Sequence, residues 1–275
     1  MTATAPDAPL LVGIGPDDVG PVVRPAARMA AAYGRGLHLL HAFNWAAMSA
    51  PAVSGTRADA EKLIAQATAA VRESEPDLPV TVEITEGSAV ANLVRRSESA
   101  FLLAIGDGGM AHCERCIPAD SPTVQVAARA GCPVLITRRQ PPPQGPVLVG
   151  VDGSAASEIA LTWAIACADR QDARLLAVRV ANPDEEVDEA GDQLRHLVVR
   201  CVAGHPDVAV ECRAVRGDPG EVLVHQSRSA QLAVVAARGD EPWRGMLGAV
   251  SQSLLYHAPA PVIVVRGVSG PPDGP

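Results

Sequence analysis

Read from Val147, the chain sets short unbroken apolar runs against longer segments with helical apolar spacing. VLVGV (147–151), ARLLAVRV (173–180), DVAVECRAV (207–215), LAVVAA (232–237) and PVIVVR (261–266) are predicted strands. SEIALTWAIACADR (157–170), AGDQLRHLVVRCVAG (190–204), PGEVLVHQSRSA (219–230) and the segment 249–258 are predicted helices. Continuous Val, Leu and Ile runs, rather than alternating ones, suit strands covered on both faces, as a parallel sheet requires. Strand and helix alternate throughout. The predicted class is therefore α/β, with a doubly wound, five-stranded parallel sheet. Ligands of such sheets sit beyond the strand carboxyl ends, where the strand order reverses.

The same pattern occurs twice. Leu11-Val-Gly-Ile14 matches Leu148-Val-Gly-Val151, and Glu86-Gly-Ser-Ala89 matches Arg216-Gly-Asp-Pro219. Leu103–Gly109 matches Ala233–Gly239, and Cys132-Pro-Val-Leu-Ile136 matches Ala260-Pro-Val-Ile-Val264. The matches keep their order at offsets between 128 and 137, so the chain is a tandem duplication with copies at 8–139 and 146–267. The Pro-rich joint, 140–145, is a short semi-rigid spacer. The tail, 268–275, has the Gly/Pro composition of a disordered segment.

Composition narrows the function classes. Of 275 residues 48% are hydrophobic and only 3% aromatic, so a packed core is expected from Val, Leu, Ile and Ala. A net charge of -8 leaves no surplus of Lys and Arg for a nucleic-acid backbone. No apolar run is long enough to span a membrane. No basic region precedes an apolar one at the N-terminus, so the expected location is the cytoplasm. The six cysteines are then expected as reduced thiols.

Three segments carry a family resemblance: Val147-Leu-Val-Gly-Val-Asp-Gly-Ser154, Val215-Arg-Gly-Asp-Pro219 and His257-Ala-Pro-Ala-Pro-Val-Ile-Val-Val-Arg266. Together they resemble the universal stress protein family, over the whole second copy and more loosely over the first. The resemblance implies two tandem Rossmann-like domains of the adenine-nucleotide alpha-hydrolase-like kind. It implies ATP as ligand, with Mg²⁺ only in company with ATP. It also implies that the last strands, Pro133–Thr137 and Pro261–Arg266, pair within the chain as an internal pseudo-dimer. ATP-binding members of that family carry G-x2-G-x9-G-[ST] after the fourth strand, where glycines admit phosphates to a helix N-terminus.

Both copies depart from that pattern. The second keeps Asp152 at the first strand end, Gly239 and Gly248, but Ala236 and Ala249 replace the first glycine and the hydroxyl residue. Eight residues, not nine, separate Gly239 from Gly248, with Pro242 and Trp243 among them. Arg238, Val180 and Ser251 complete the candidate set in this copy. The first copy keeps Gly106, Gly109 and the hydroxyl of Ser121, but has Gly15 in place of the strand-end Asp and Asp120 in place of the last glycine. A carboxylate there repels phosphate. ATP binding is thus expected to be weak and to fall mainly in the second copy.

Several residues have two readings. Asp152 either approaches an adenine or caps the following helix. Cys113 and Cys116, with His112, are weak candidates for a metal or redox pair; Cys132 joins them only if the loop folds back. His41 and His257 fit strand- and helix-end roles better than catalysis. Trp163 falls on an apolar helix face; Trp243 is read as packing. Trp45 either stacks on an adenine or plugs an empty pocket. Neither the HxGH nor the SGGxDS motif of related nucleotide enzymes is present, and no Ser/His/Asp set stands out. The leading expectation is a non-catalytic stress-response or regulatory module. The alternatives are a nucleotide-free protein-interaction member and a thiol or metal sensor.

Overall fold

The structure, a computed structural model, describes residues 7–15, 19–43, 57–108, 121–140, 144–238 and 246–266. The chain divides into two compact units, whose described residues fall within 7–140 and 144–266.

In the first unit the order is β1 (Leu10–Gly13), α1 (Val19–Ala32), β2 (Leu37–Phe43), α2 (Arg57–Ser74), β3 (Val80–Glu86), α3 (Ala89–Ser97), β4 (Leu102–Gly106), α4 (Pro122–Arg129) and β5 (Val134–Thr137). The strands lie in the order β3-β2-β1-β4-β5, each pair parallel. The second unit repeats this with β6 (Val147–Gly150), α5 (Ala155–Arg170), β7 (Leu175–Val180), α6 (Val187–Cys201), β8 (Val210–Val215), α7 (Pro219–Ser227), β9 (Leu232–Ala236), α8 (Ala249–His257) and β10 (Val262–Val265). Its order is β8-β7-β6-β9-β10, again parallel. In each unit the strand order reverses between the first and fourth strands. The crossovers pack α1 against α2 and α3 against α4. The second unit pairs α5 with α6 and α7 with α8 in the same way.

Burial explains the apolar runs. Leu10, Leu11, Val12, Leu102, Leu103, Ala104, Val147, Leu148 and Val149 are essentially fully buried. The repeated glycine that ends the first strand has a packing cause. A Cβ on Gly150 would lie 2.5 Å from Leu223 Cδ1, and one on Gly13 would lie 2.9 Å from Leu93 Cδ1. The leucines of α7 and α3 close directly over the strand end.

Element boundaries differ from the sequence reading in instructive places. Helix α5 starts at Ala155, not 157, because Ser154 caps it: its Oγ accepts the Ser157 N–H at 3.1 Å. Helix α6 starts at Val187, not 190, with Asp188 and Glu189 in its first turn, where carboxylates suit the positive helix end. It gives way to a single 3-10 turn at Val202–Gly204. Helix α7 ends at Ser227, three residues before the predicted boundary at 230. No helix among the described residues is long and apolar enough to cross a membrane.

Candidate functional site

The second unit carries most of the candidate residues. Strand β6 is followed by Val151, whose N–H donates to the Val178 carbonyl at 2.9 Å, and then by the turn Asp152-Gly153-Ser154. Asp152 Oδ1 accepts the Ser154 N–H at 2.9 Å and the Ser154 hydroxyl at 2.6 Å. The Asp152 N–H in turn donates to Ser157 Oγ at 3.3 Å, and that hydroxyl donates to the Ser154 carbonyl at 2.9 Å. Burial pushes the Asp152 carboxyl up, but hydrogen bonds, those of Ser154 foremost, together hold the group below its ordinary value. The cap of α5 is Ser154, and Asp152 braces that cap rather than capping the helix itself. Oδ2 takes no part in these bonds.

Beneath this turn lies a largely buried ion pair that the sequence reading missed. Arg179 Nη2 donates to Glu185 Oε1 at 2.9 Å, with the two side chains 10% and 12% exposed. Glu185 Oε2 accepts the Asn182 N–H at 3.1 Å. Gly153 has φ +86°, and a Cβ on it would lie 3.0 Å from Arg179 Nη1. The pair therefore ties the β6–α5 turn to the β7–α6 turn. Its signal in the sequence was a lone charge inside the apolar run LLAVRV. Val180, the next residue, is half-buried at the end of β7.

At the end of β9 the chain returns as Gly248, whose N–H donates to the Ala237 carbonyl at 2.8 Å. Gly248 is the N-cap of α8 and supplies no side-chain cap. Ala249 is the first helical residue, so the amide groups of the first turn lack a hydroxyl or carboxylate partner from the cap position. Arg238 lies against this turn. A Cβ on Gly248 would lie 3.6 Å from the Ala237 oxygen and 3.8 Å from Arg238 Cγ, which is ordinary contact. Among the described residues, packing thus does not demand glycine at 248. Ser251 is turned inward: its hydroxyl donates to the Ala236 carbonyl at 2.6 Å and lies 3.3 Å from that of Ala237. The structure gathers Arg238, Gly248, Ala249 and Ser251 at the end of β9, and Asp152 and Val180 at the ends of the adjacent β6 and β7. Gly239 and Trp243 lie outside the described residues.

The first unit differs. Ser121 is the N-cap of α4 without a side-chain cap bond, and Pro122 follows it. Thr123 donates to the Gly106 carbonyl at 3.0 Å. Thr123 and Ser251 therefore do the same work, fastening a helix start to the last carbonyl of the fourth strand. They also share the offset of 128 that relates Cys132 to Ala260. That shared offset was a legible signal that Ser251 is not a displaced phosphate-binding hydroxyl. Asp107, directly after β4, is buried and pairs with buried Arg138 at 3.2 Å. Burial draws the Arg138 guanidinium below its usual range, against the pull of Asp107. His41 Nδ1 lies 2.9 Å from the Ile14 carbonyl oxygen, a strand-end contact. A cavity of about 260 Å³ opens at the carboxyl ends of β1 and β4, where the strand order reverses.

Gly109, His112, Cys113, Cys116, Asp120 and Trp45 lie outside the described residues. Cys132 is buried, and burial pushes its thiol up to about 12, which suits a packed thiol rather than a ligand or redox group. Cys132, Cys201 and Cys212 are free thiols, and Cys167 is buried in α5. Among the described residues no three His, Cys, Asp or Glu side chains are disposed to hold a metal ion. His257 is the last residue of α8, and Trp163 is buried in α5.

The model of the Universal stress protein family matches residues 8–138 and again 145–266. A universal stress protein of Mycolicibacterium smegmatis is 30% identical over 296 aligned positions, covering 97% of this chain and 99% of that protein. One from Mycobacterium tuberculosis is 34% identical over 226 positions, covering 76% and 75% of the two chains. Among solved structures, a universal stress protein from Archaeoglobus fulgidus superposes with a TM-score of 0.72 at 16% identity, covering 96% of this chain and 98% of that one. A functionally unknown protein from Pseudomonas aeruginosa gives 0.63 at 18% identity, covering 97% and 95%.

Proposed function

The chain belongs to the universal stress protein family, in tandem form, and on that premise we propose a non-catalytic, cytoplasmic stress-response module that binds adenine nucleotide weakly through its second unit. The observation that carries this reading is the start of α8. Among the described residues, a helix N-terminus whose cap residue, Gly248, brings no side chain lies at the end of β9 beside Arg238, and their packing does not require that glycine. Such an end offers backbone N–H groups and a positive dipole to a phosphate. Ala236 and Ala249 remove two of the family's contacts, which keeps the affinity low. Asp152, with Oδ2 outside the turn's bonds, would face the nucleoside end, and Mg²⁺ would enter only with ATP. Regulation would follow from a shift in population between bound and free forms.

One observation favours a nucleotide-free, protein-binding member instead. The Ser251 hydroxyl and Asp152 Oδ1 are both engaged by neighbouring groups of the chain. Native mass spectrometry of freshly purified protein, then ATP titration with Mg²⁺, decides between the readings. Retained nucleotide, or saturable binding, supports the first; no binding at millimolar ATP leaves the second.

Gly248→Ala sharpens the test. The new methyl meets only ordinary contacts, so stability should fall by no more than about 1 kcal/mol, the usual range for a changed cap. ATP affinity should fall at least ten-fold, about 1.4 kcal/mol, because the methyl stands where the phosphate must approach. Unchanged affinity would place the nucleotide elsewhere. ATP turnover above a buffer blank would overturn the non-catalytic reading.

A further inference from the structure

The end strand of the second unit, β8, is complementary to itself. We infer that it is the docking surface for a second copy of this chain, which adds its own β8 antiparallel across a two-fold axis at Cys212. This goes beyond the proposed function and does not depend on nucleotide binding.

The backbone sets which residues can pair. Strand β8 ends the strand order of its unit and is bonded to β7. The Leu175 N–H donates to the Ala209 carbonyl and the Ala181 N–H to the Val215 carbonyl, each at 2.9 Å. Residues of a strand face a given neighbour alternately, so Glu211 and Arg213 also turn their backbone groups to β7. Val210, Cys212 and Ala214 then direct their N–H and C=O groups away from β7, to a side on which no strand lies among the described residues. An antiparallel copy can bond only to these outward residues. With Cys212 facing its own counterpart, Val210 faces Ala214 of the second copy, and each such pair exchanges two hydrogen bonds.

The side chains select that register. In it Glu211 stands opposite Arg213 of the second copy, and Arg213 opposite Glu211, at the positions where cross-strand side chains approach most closely. The two side chains are 49% and 40% exposed and are bonded to one another along the strand at 2.6 Å. Edge strands commonly carry charges that keep other edges away. Here the two charges are opposite and flank an uncharged centre, so a second copy meets attraction. The end strand of the first unit, β3, does not offer this. The same arrangement about Val82 sets Thr81 against Glu83, a carboxylate already held by Arg96 and His38. Helix α6 extends the β8 surface. A Cβ on its Gly191 would lie 3.6 Å from Ala214 Cβ and 3.3 Å from Arg195 Nη1. Val199, one turn beyond Arg195 on that side of the helix, is 68% exposed, the most of any large apolar residue among the described ones. A two-fold contact is closed, so assembly through it stops at two copies.

Sedimentation equilibrium of the full-length protein tests this. The mass should rise with concentration from 28.4 kDa towards twice that value and no further. Glu211→Arg and Arg213→Glu each set like charges face to face and should weaken the dimer at least about ten-fold. The combined Glu211→Arg/Arg213→Glu variant restores opposite charges across the axis and should recover most of that loss. Cys212→Pro removes an N–H that points outward, so the ladder to β7 keeps its bonds while the central pair loses its own. This variant should be monomeric, with the circular dichroism spectrum of the unmodified protein. If it does not fold, the charge variants decide. A monomer at every concentration, growth beyond two copies, a dimer indifferent to the single reversals, or a double reversal no better than the singles overturns the inference. A dimer that survives in every variant lies on another face and overturns it too. The measurement is made without nucleotide, so its outcome is separate from that of the ATP titration.

Discussion

Trp163→Ala is expected to destabilise the second unit by about 3–5 kcal/mol, the largest effect of any single truncation considered for this chain. Trp163 is 2% exposed and sits in α5, the helix that packs across β6, β7, β9 and β10. With aromatics at 3% of the chain, the core is built from Leu, Val, Ile and Ala, and few neighbours are large enough to collapse into the space an indole leaves. The loss combines the transfer free energy of the ring with the cavity it creates. Domains of this size have a total stability of about 5–15 kcal/mol, so a fifth or more of the second unit's margin is at stake. Urea unfolding followed by circular dichroism should show the second unit's transition moving down by about 2 M, given a typical slope of about 1–3 kcal/mol per M. A shift below about 0.5 M would mean that the site relaxes around the smaller residue and that Trp163 is not a central packing element.

The fold was legible because its cause is local in sequence. A parallel strand buried on both faces must be apolar at every position, and VLVGV, LAVVAA and PVIVVR announce this without any partner being known. Helix starts were less legible. Apolar spacing locates the face a helix buries, but the first turn of α5 is set by Ser154 and that of α6 by acidic residues, neither of which contributes to that spacing.

The candidate site was legible only as a set of positions. The sequence located Asp152, Gly248 and Ser251 correctly at strand ends and helix starts, yet it could not tell which way their polar atoms turn. Ser251 turns into the fold, since a hydroxyl two residues beyond a helix start reaches the last strand carbonyl, whereas Asp152 is exposed and engages Oδ1 with the neighbouring Ser154. The first unit's cavity was hidden for a different reason. Its walls come from five elements spread over more than a hundred positions of the chain, from Ile14 to Val126, and the shape of such a cleft depends on how they pack. The offset of 128 linking Thr123 to Ser251 was available throughout. It becomes interpretable once both hydroxyls are seen to bond the same strand-end carbonyl.

Glu185→Ala should lower the stability of the second unit by about 3 kcal/mol, because it leaves the Arg179 charge buried without its carboxylate. Arg179 Nε already has no hydrogen-bond partner, so the guanidinium depends on the bond from Nη2 to Glu185 Oε1. The Asn182 N–H loses its acceptor in the same step. The pair's own net contribution is a separate quantity, since two ions removed from water regain little more than their desolvation. The double variant Arg179→Leu/Glu185→Ala removes the charge together with its partner, and an apolar replacement suits a strand position otherwise flanked by Val178 and Val180. It should recover at least half of the loss caused by Glu185→Ala alone, and a double-mutant cycle on the denaturant midpoint measures that coupling directly. A double variant less stable than the single one would show that Arg179 acts mainly by packing its stem against the Gly153 turn. In that case ATP affinity, if present, should fall with Arg179→Leu as well, because the turn that presents Asp152 would lose its support.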